Sequence, residues 1–379
     1  MVKILIAGDY APGGRVAQLI HENKFENIFS EVQPYTLCAD YSILNLEAPV
    51  VDTDKVTPIS KCGPHLKCSA KALNAAKYAG FNMLTLANNH IFDFGALGIK
   101  TTVDLCRELD IDYLGAGMNF DAAQKIFYKQ IKGINFAFIN CCEREFSIAT
   151  QDSAGANPLD PIKQYYAITE ARKLAEYVIL IVHGGPEHYQ LPSPRMKETY
   201  RCFIDMGADA VINHHQHCYS GYEIYNGRPI VYGLGNFCFD KYPSKRDRRW
   251  YEGYMVELLF DSSITLNIHP YVQCNAEPTV SFLDGEHRKL FLKNLYELNL
   301  IIGDDIQLNA SYNKWINASD FVFKTALTPW NDRITKSLYR RNLLPSFITE
   351  EKRLFLLNIL ECQSHLDKLI QIVKKMKIK

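Results

Sequence analysis

Short apolar runs alternate with segments of helical period through the first two-thirds of the chain, the pattern of a mixed sheet covered by helices. Lys3 to Gly8, Tyr41 to Glu47, Asn82 to Ala87, Asn135 to Cys141, Tyr177 to His183, Ala210 to His214 and Arg228 to Gly235 are the strand candidates. Amphipathic segments between them, such as Ser69 to Gly80 and Gly98 to Asp110, are helix candidates and give a βαβ-like order. Beyond about Asp240 the pattern changes. A polar loop, KYPSKRDRRW, precedes GYMVELLFD and SITLNIHPYVQC, which read as an antiparallel hairpin closed by Asp-Ser-Ser. Helices are expected over Glu286 to Glu297 and Thr349 to Lys374, whereas Asn299 to Ser346 has no clear period. The change divides the chain into a main domain of residues 1–284 and a mainly helical C-terminal extension of residues 285–379.

Composition adds limits. With 47% hydrophobic and 22% charged residues, the chain is an ordinary globular one, and its 379 residues suffice for a full core. Lys plus Arg equals Asp plus Glu at 42 each, so there is no overall field to gather nucleic acid or an anionic membrane, and any anionic substrate must be attracted locally. Eleven cysteines, an odd number without CxxC spacing, point to reduced thiols and a cytoplasmic location. The opening MVKILIAGDY enters a strand at once and is too short for a signal-peptide core, so no direct membrane anchor is expected. The basic tail IQIVKKMKIK reads as the solvated end of a last helix.

Polar residues collect at the C-terminal ends of successive predicted strands, where ligand sites form in open α/β sheets. They are GDYAPGG around Asp9, NLEAP around Glu47, ANNHIFDFG around Asn89 and His90, VHGGPEHY around His183, and NHHQH over Asn213 to His217. Each alone has a structural explanation as a turn, a helix cap or a buried imidazole. Together they do not, because a fold has no need of carboxylate, carboxamide and imidazole at strand end after strand end. A binuclear centre does need such ligands from several strands. The His-His-x-His run carries most weight, since its imidazoles are hard to satisfy in a core and no cysteine pair completes a zinc finger. Strand alternation predicts that His215 and His217 share one side as ligands while His214 faces the other way.

The series GD, NLE, ANNHxxDxG, HxGxE and HHxH, followed by GxEIYNGRPIVYGLGNFCFD, closely resembles the CapA capsule-biosynthesis, or poly-gamma-glutamate synthesis, family. That family lies within the calcineurin-like metallophosphoesterase superfamily, and the similarity spans roughly Val2 to Asp240. The resemblance implies an α/β fold, a four-layer α-β-β-α sandwich of metallophosphoesterase type, with two divalent ions of the Mn, Fe or Zn kind at the strand ends. It implies that Asp9 and His217 hold one ion, that Glu47 bridges both, that Asn89, His183 and His215 hold the second, and that His90 faces substrate. Two positions depart from the superfamily. Ala11 stands where a histidine normally follows the first Asp, and Glu47 stands where the bridge is normally Asp. Both fit the CapA branch, and they leave the first ion one ligand poorer.

The implied chemistry is hydrolysis or transfer at a phosphoryl or related centre by metal-activated water. His90 would act as general acid or stabilise developing charge, with Asp93 either orienting it or capping the next helix. Arg15 after Gly13-Gly14, Lys61 in SKCGPH, and Glu187 with His188 are candidate substrate contacts, while Asn236 is placed to close the pocket or a turn. The run from Lys241 to Arg249 is a candidate receiver for a polyanion such as polyglutamate or a phosphorylated glycan. The resemblance links this hydrolase to capsule or poly-gamma-glutamate-type polymer metabolism and to capsule-biosynthesis proteins as partners. Two alternatives stay open: a non-catalytic polymer-binding accessory protein of a capsule-assembly complex, and a metal-dependent amide or gamma-glutamyl hydrolase.

Overall fold

A computed structural model describes residues 1–52, 56–241, 247–330 and 332–376. Two sheets form its centre. In the first, strands follow the order Val280–Phe282, Ile264–Gln273, Glu252–Phe260, Val2–Tyr10, Tyr41–Leu46, Met83–Thr85 and Asp112–Leu114, with Asn236–Cys238 also paired to Val2–Tyr10. In the second the order is Tyr222–Tyr225, Arg228–Val231, Ala210–His214, Tyr177–His183, Ile134–Cys142 and Phe127–Ile131. The strands that carry the polar ends run parallel to one another within each sheet, whereas Glu252–Phe260 is antiparallel to Val2–Tyr10 and to Ile264–Gln273.

Side-chain alternation assigns the layers. Ile4, Ile6, Ile43, Ile179, Ile181 and Ile212 share one buried cluster between the sheets. Leu5, Ala7 and Leu44 point the other way, into a cluster with Leu73 of the helix Ala70–Tyr78 and Ile99 of the helix Gly95–Glu108. On the far side Val178, Leu180 and Val182 cluster with Ile168 of the helix Pro161–Leu174 and Phe203 of the helix Pro194–Asp205. The architecture is therefore the four-layer α-β-β-α sandwich. Strands covered on both faces read as unbroken apolar runs, which is why the sequence shows them so clearly. Each fully buried Ile or Leu contributes about 2 kcal/mol.

The first strand is irregular where its chemistry begins. Its register with Tyr41–Leu46 shifts between Ala7 and Asp9, a bulge that re-aims Asp9. Gly8 makes this possible, because a Cβ there would lie 2.0 Å from the carbonyl oxygen of Gly235. The run expected over Arg228 to Gly235 is a strand only over Arg228–Val231, and a further strand, Asn236–Cys238, begins after Gly235, which sits at φ +80°.

Met1–Asn309 forms one compact unit and Ala310–Lys379 another. The first unit includes the helix Gly285–Gly303, whose Phe291 and Leu295 join the cluster between the sheets, so the change of pattern near Asp284 marks where the sheets end. Asn299 to Ser346, which showed no period, contains the helices Asp305–Ala326 and Arg333–Arg340. Side-chain caps rather than an apolar stripe begin them: Asp304 accepts from the N–H groups of Ile306 and Gln307, and Asp332 from those of Ile334 and Thr335. The single helix expected over Thr349 to Lys374 is two, Glu350–Glu361 and Gln363–Lys375, because Cys362 leaves the helical region at ψ 110°. Among the described residues, no helix is long and apolar enough to cross a membrane.

Candidate metal centre

Six of the residues singled out in the sequence converge at the strand ends of the first unit: Asp9, Glu47, Asn89, His183, His215 and His217, all buried. Glu47 follows the strand Tyr41–Leu46, and its N–H donates to the carbonyl of Tyr10 at 2.9 Å, which fixes it beside Asp9. Asp9 accepts from Asn45 Nδ2 at 2.7 Å and from the backbone N–H of His215 at 3.2 Å. Donor atoms of Glu47, His183 and His215 lie within 4.8 Å of one another, as do those of Asp9, Glu47 and His217. Asn89 Oδ1 is 3.0 Å from His183 Nε2, which adds a carboxamide oxygen to the first of these groups.

The pairing of His215 with His217 does not come from strand alternation. The strand ends at His214, and His215 and His217 both take left-handed backbone conformations, at φ +94° and +55°. Such strain in non-glycine residues persists only where the surroundings hold it. His214 turns into the sandwich and donates from Nε2 to the carbonyl of Ala7 at 2.9 Å. Asn236 Oδ1, 2.9 Å from His217 Nδ1, accepts the proton there and leaves Nε2 directed at Glu47, 3.7 Å away.

Glu47 tests whether a cation belongs here. Among the described residues, neither of its buried carboxylate oxygens accepts a hydrogen bond. Burial, then the charges of Asp9, Glu187 and Glu145, push its carboxyl well above the usual range. A buried carboxylate left in this state costs several kcal/mol, and cations placed among oxygen and imidazole donors remove the penalty. The mixed N/O donor set suits borderline transition metals. The residues present fit divalent metal.

The histidines are ready for the same task. Burial, with neighbouring histidines, holds His183 well below 6.5, and burial foremost brings His215 down to about 4 and His217 down to about 3. All three are neutral at pH 7, as ligands must be. In the unfolded chain His217 would ionise near 6.5, so between that value and about 3 the unfolded state binds the extra proton and stability falls with falling pH. His217 alone is expected to remove about 3 kcal/mol from the metal-free protein by pH 4. Urea unfolding in chelator checks this: wild type should lose stability relative to His217→Asn between pH 7 and 4, and a constant difference would contradict it.

His90 lies at the edge of the centre, with Nε2 4.0 Å from Glu47 Oε1. Its Nδ1 donates to Asp93 Oδ2 at 2.7 Å. Burial raises the Asp93 carboxyl, but hydrogen bonds from His90, Lys61 and the Leu66 N–H outweigh it and keep the group ionised. Asp93 thus hydrogen-bonds the His90 ring, while the helix Gly95–Glu108 begins without a side-chain cap at Phe94. The Lys61 side chain is only 4% exposed, pairs with Asp93, and stands 3.2 Å from His90 Nδ1, so its ammonium is enclosed rather than offered over the site.

Arg15 is engaged by the protein itself. Its guanidinium pairs with Asp240 and donates to the carbonyls of Cys274, Asn275 and Ala276, clamping two turns together. Glu187 is exposed, close enough for its charge to act on Glu47 but outside both donor groups. His188 packs 5.9 Å from the rings of His217 and Trp250. Of the basic run, Arg248 pairs with Glu252, Arg249 pairs with Asp247, and Lys241 lies over the ring of Phe239; Lys245 and Arg246 fall outside the described residues.

Three participants were not legible as such. Asn45 sits inside an apolar strand, Asn236 offered a turn as its simpler explanation, and Glu145 lies in a charged segment, CCERE, after the strand Ile134–Cys142. The positions of Glu145 and Asn236 after strand ends offered a signal, and Asn45 offered none.

Residues 3–241 match the family described as bacterial capsule synthesis protein PGA_cap, and the chain belongs to that family. Capsule biosynthesis protein CapA of Bacillus anthracis is 34% identical over 244 residues, covering 62% of this chain and 59% of that protein. PGA biosynthesis protein CapA of Bacillus subtilis is 33% identical over 238 residues, covering 62% of each. The chain thus spans about six-tenths of the length of these curated relatives. A phosphatase structure from Mycoplasma pneumoniae aligns over 78% of this chain and 98% of its own, at 14% identity and a TM-score of 0.45, a likeness that assigns nothing to the site.

Proposed function

We propose that this protein is a metal-dependent, phosphoesterase-type hydrolase serving capsule or poly-gamma-glutamate-type polymer metabolism. The observation that carries the reading is the buried, unpartnered carboxylate of Glu47 between two convergent N/O donor groups. Asp9 and His217 would hold one divalent ion, Glu47 would bridge, and Asn89, His183 and His215 would hold the second. Such ions, when bound, supply Lewis acidity and a water acidic enough to ionise near neutral pH. His90 Nε2, 4.0 Å from Glu47 Oε1, would give a proton to a leaving oxygen, while Asp93 holds its other nitrogen. Membership of the PGA_cap family supports the link to capsule polymers.

A second reading, binding without turnover, is favoured by one observation. Ala11, where a further histidine ligand would stand in the wider superfamily, is packed with Phe239, Trp250 and Tyr251 in a small apolar cluster. Elemental analysis of wild type and His215→Ala purified without chelator, with turnover of a chromogenic phosphodiester and of a gamma-glutamyl peptide on the same samples, separates the readings. About two metals per chain are expected in wild type, lost together with phosphodiester turnover in the variant. Turnover of the peptide alone would replace phosphoester with amide hydrolysis, and neither metal nor metal-stimulated turnover would leave a binding protein.

A further inference from the structure

Asn89 and His215 are ambiguous ligands. Each has a lone pair at one end and hydrogen at the other, and a flipped amide or the other imidazole tautomer would turn hydrogen towards the metal position. Glu145 stands at the far end of both. Its Oε2 accepts from Asn89 Nδ2 at 3.4 Å, and its Oε1 lies 3.7 Å from His215 Nε2. The opposite atoms, Asn89 Oδ1 and His215 Nδ1, lie 3.0 and 3.1 Å from His183 Nε2, whose own distance to Glu47 Oε1 is 3.7 Å. Donor atoms on three other segments thus gather around His183 Nε2, and of the two side chains that Glu145 adjoins one is hydrogen-bonded to it and the other lies within ion-pair reach.

Resting on the metal-site reading above, we infer that Glu145 is a positioning residue that fixes the amide of Asn89 and the tautomer of His215 so that both present lone pairs to the second metal position. A carboxylate accepts only, so it rewards the orientation with hydrogen outward in both side chains at once. The segment that bears it is anchored: Ser147 Oγ donates to the carbonyl of Asn89 at 2.5 Å, and the N–H of Ala156 donates to the carbonyl of Ser147 at 2.6 Å. The side chain itself remains 40% exposed, so its removal leaves the core untouched. Its place after a strand end marks Glu145, but nothing in the sequence announces its partner, because Glu145 reaches Asn89 across 56 residues of chain.

Co2+ titration of the full chain, followed by calorimetry and visible absorption, tests the inference in wild type, Glu145→Gln and Glu145→Ala. Glu145→Ala is expected to bind Co2+ about 10- to 100-fold more weakly at the second position, with unchanged stoichiometry at saturation and no loss of melting temperature in chelator. Glu145→Gln should be intermediate, since one amide oxygen can serve only one of the two partners. Wild-type affinity in Glu145→Ala would overturn the inference. A lost equivalent of Co2+ at saturation would also overturn it, because Glu145 would then be a ligand. A wild-type chain that takes up no Co2+ would instead sink the metal reading itself.

Discussion

Glu47→Gln is expected to raise the melting temperature of the metal-free protein at pH 8 and to cancel the stabilisation that divalent metal gives the wild type. Burial, with the charges of Asp9, Glu187 and Glu145, raises the Glu47 carboxyl in the fold, whereas in the unfolded chain it ionises near 4.5. Below 4.5 both states hold the proton and the group costs nothing. As pH rises above that value the unfolded state releases its proton first, so the contribution of the protonated group to stability is progressively lost. Glutamine has the same shape and no such loss. Removing an unpaired buried charge is worth about 3 kcal/mol, or about 4–5 °C in a unit of this size. Wild type should recover a similar amount when metal exceeds its Kd about 100-fold, and the variant should not. Thermal melts at pH 5 and 8, with chelator and with Mn2+, check both halves. A chelated variant that melts below chelated wild type at pH 8 would show that Glu47 is satisfied by the protein alone.

What the sequence revealed of this centre, and what it hid, follow from the same geometry. Strands buried on both faces must be apolar throughout, so Asp9, Glu47, Asn89, His183 and the NHHQH run stood out as polar breaks at strand ends. The fold was legible for that reason too, since Tyr177–His183 and Ala210–His214 are bounded by their own polar ends. Backbone strain left no such mark. His215 and His217 face the centre through positive φ after the strand has ended, a conformation that no residue type in NHHQH required. Arg15 beside two glycines looked like an anion loop, yet its partner, Asp240, lies 225 residues along the chain. Glu145 contacts Asn89 across 56 residues and Asn236 contacts His217 across 19, and a single glutamate or asparagine carries no periodicity to betray that. The C-terminal helices begin on Asp304, Asp332 and Thr349 caps, signals shorter than any periodic window.

His90→Asn is expected to divide substrates by their leaving group. The ring is held by Nδ1 on Asp93, with Lys61 on the same carboxylate, and only Nε2 faces the centre. If that nitrogen delivers a proton, its removal matters in proportion to how badly the departing oxygen needs one. A nitrophenolate leaves as a stable anion and requires little help, whereas an alkoxide is a far poorer leaving group and gains the full benefit of a general acid, about 100- to 10,000-fold. The variant should keep its metal content and lose less than about 10-fold in kcat on a nitrophenyl phosphodiester, while losing about 100-fold or more on an alkyl phosphodiester. Equal losses on both substrates would mean that His90 stabilises charge on the phosphoryl oxygens instead, because that charge develops whichever group departs. Asp93→Asn provides the control. It strips the buried Lys61 ammonium of its partner, at about 3 kcal/mol of stability, and frees the His90 ring, so it should reproduce the leaving-group dependence of His90→Asn in weaker form if Asp93 acts through His90.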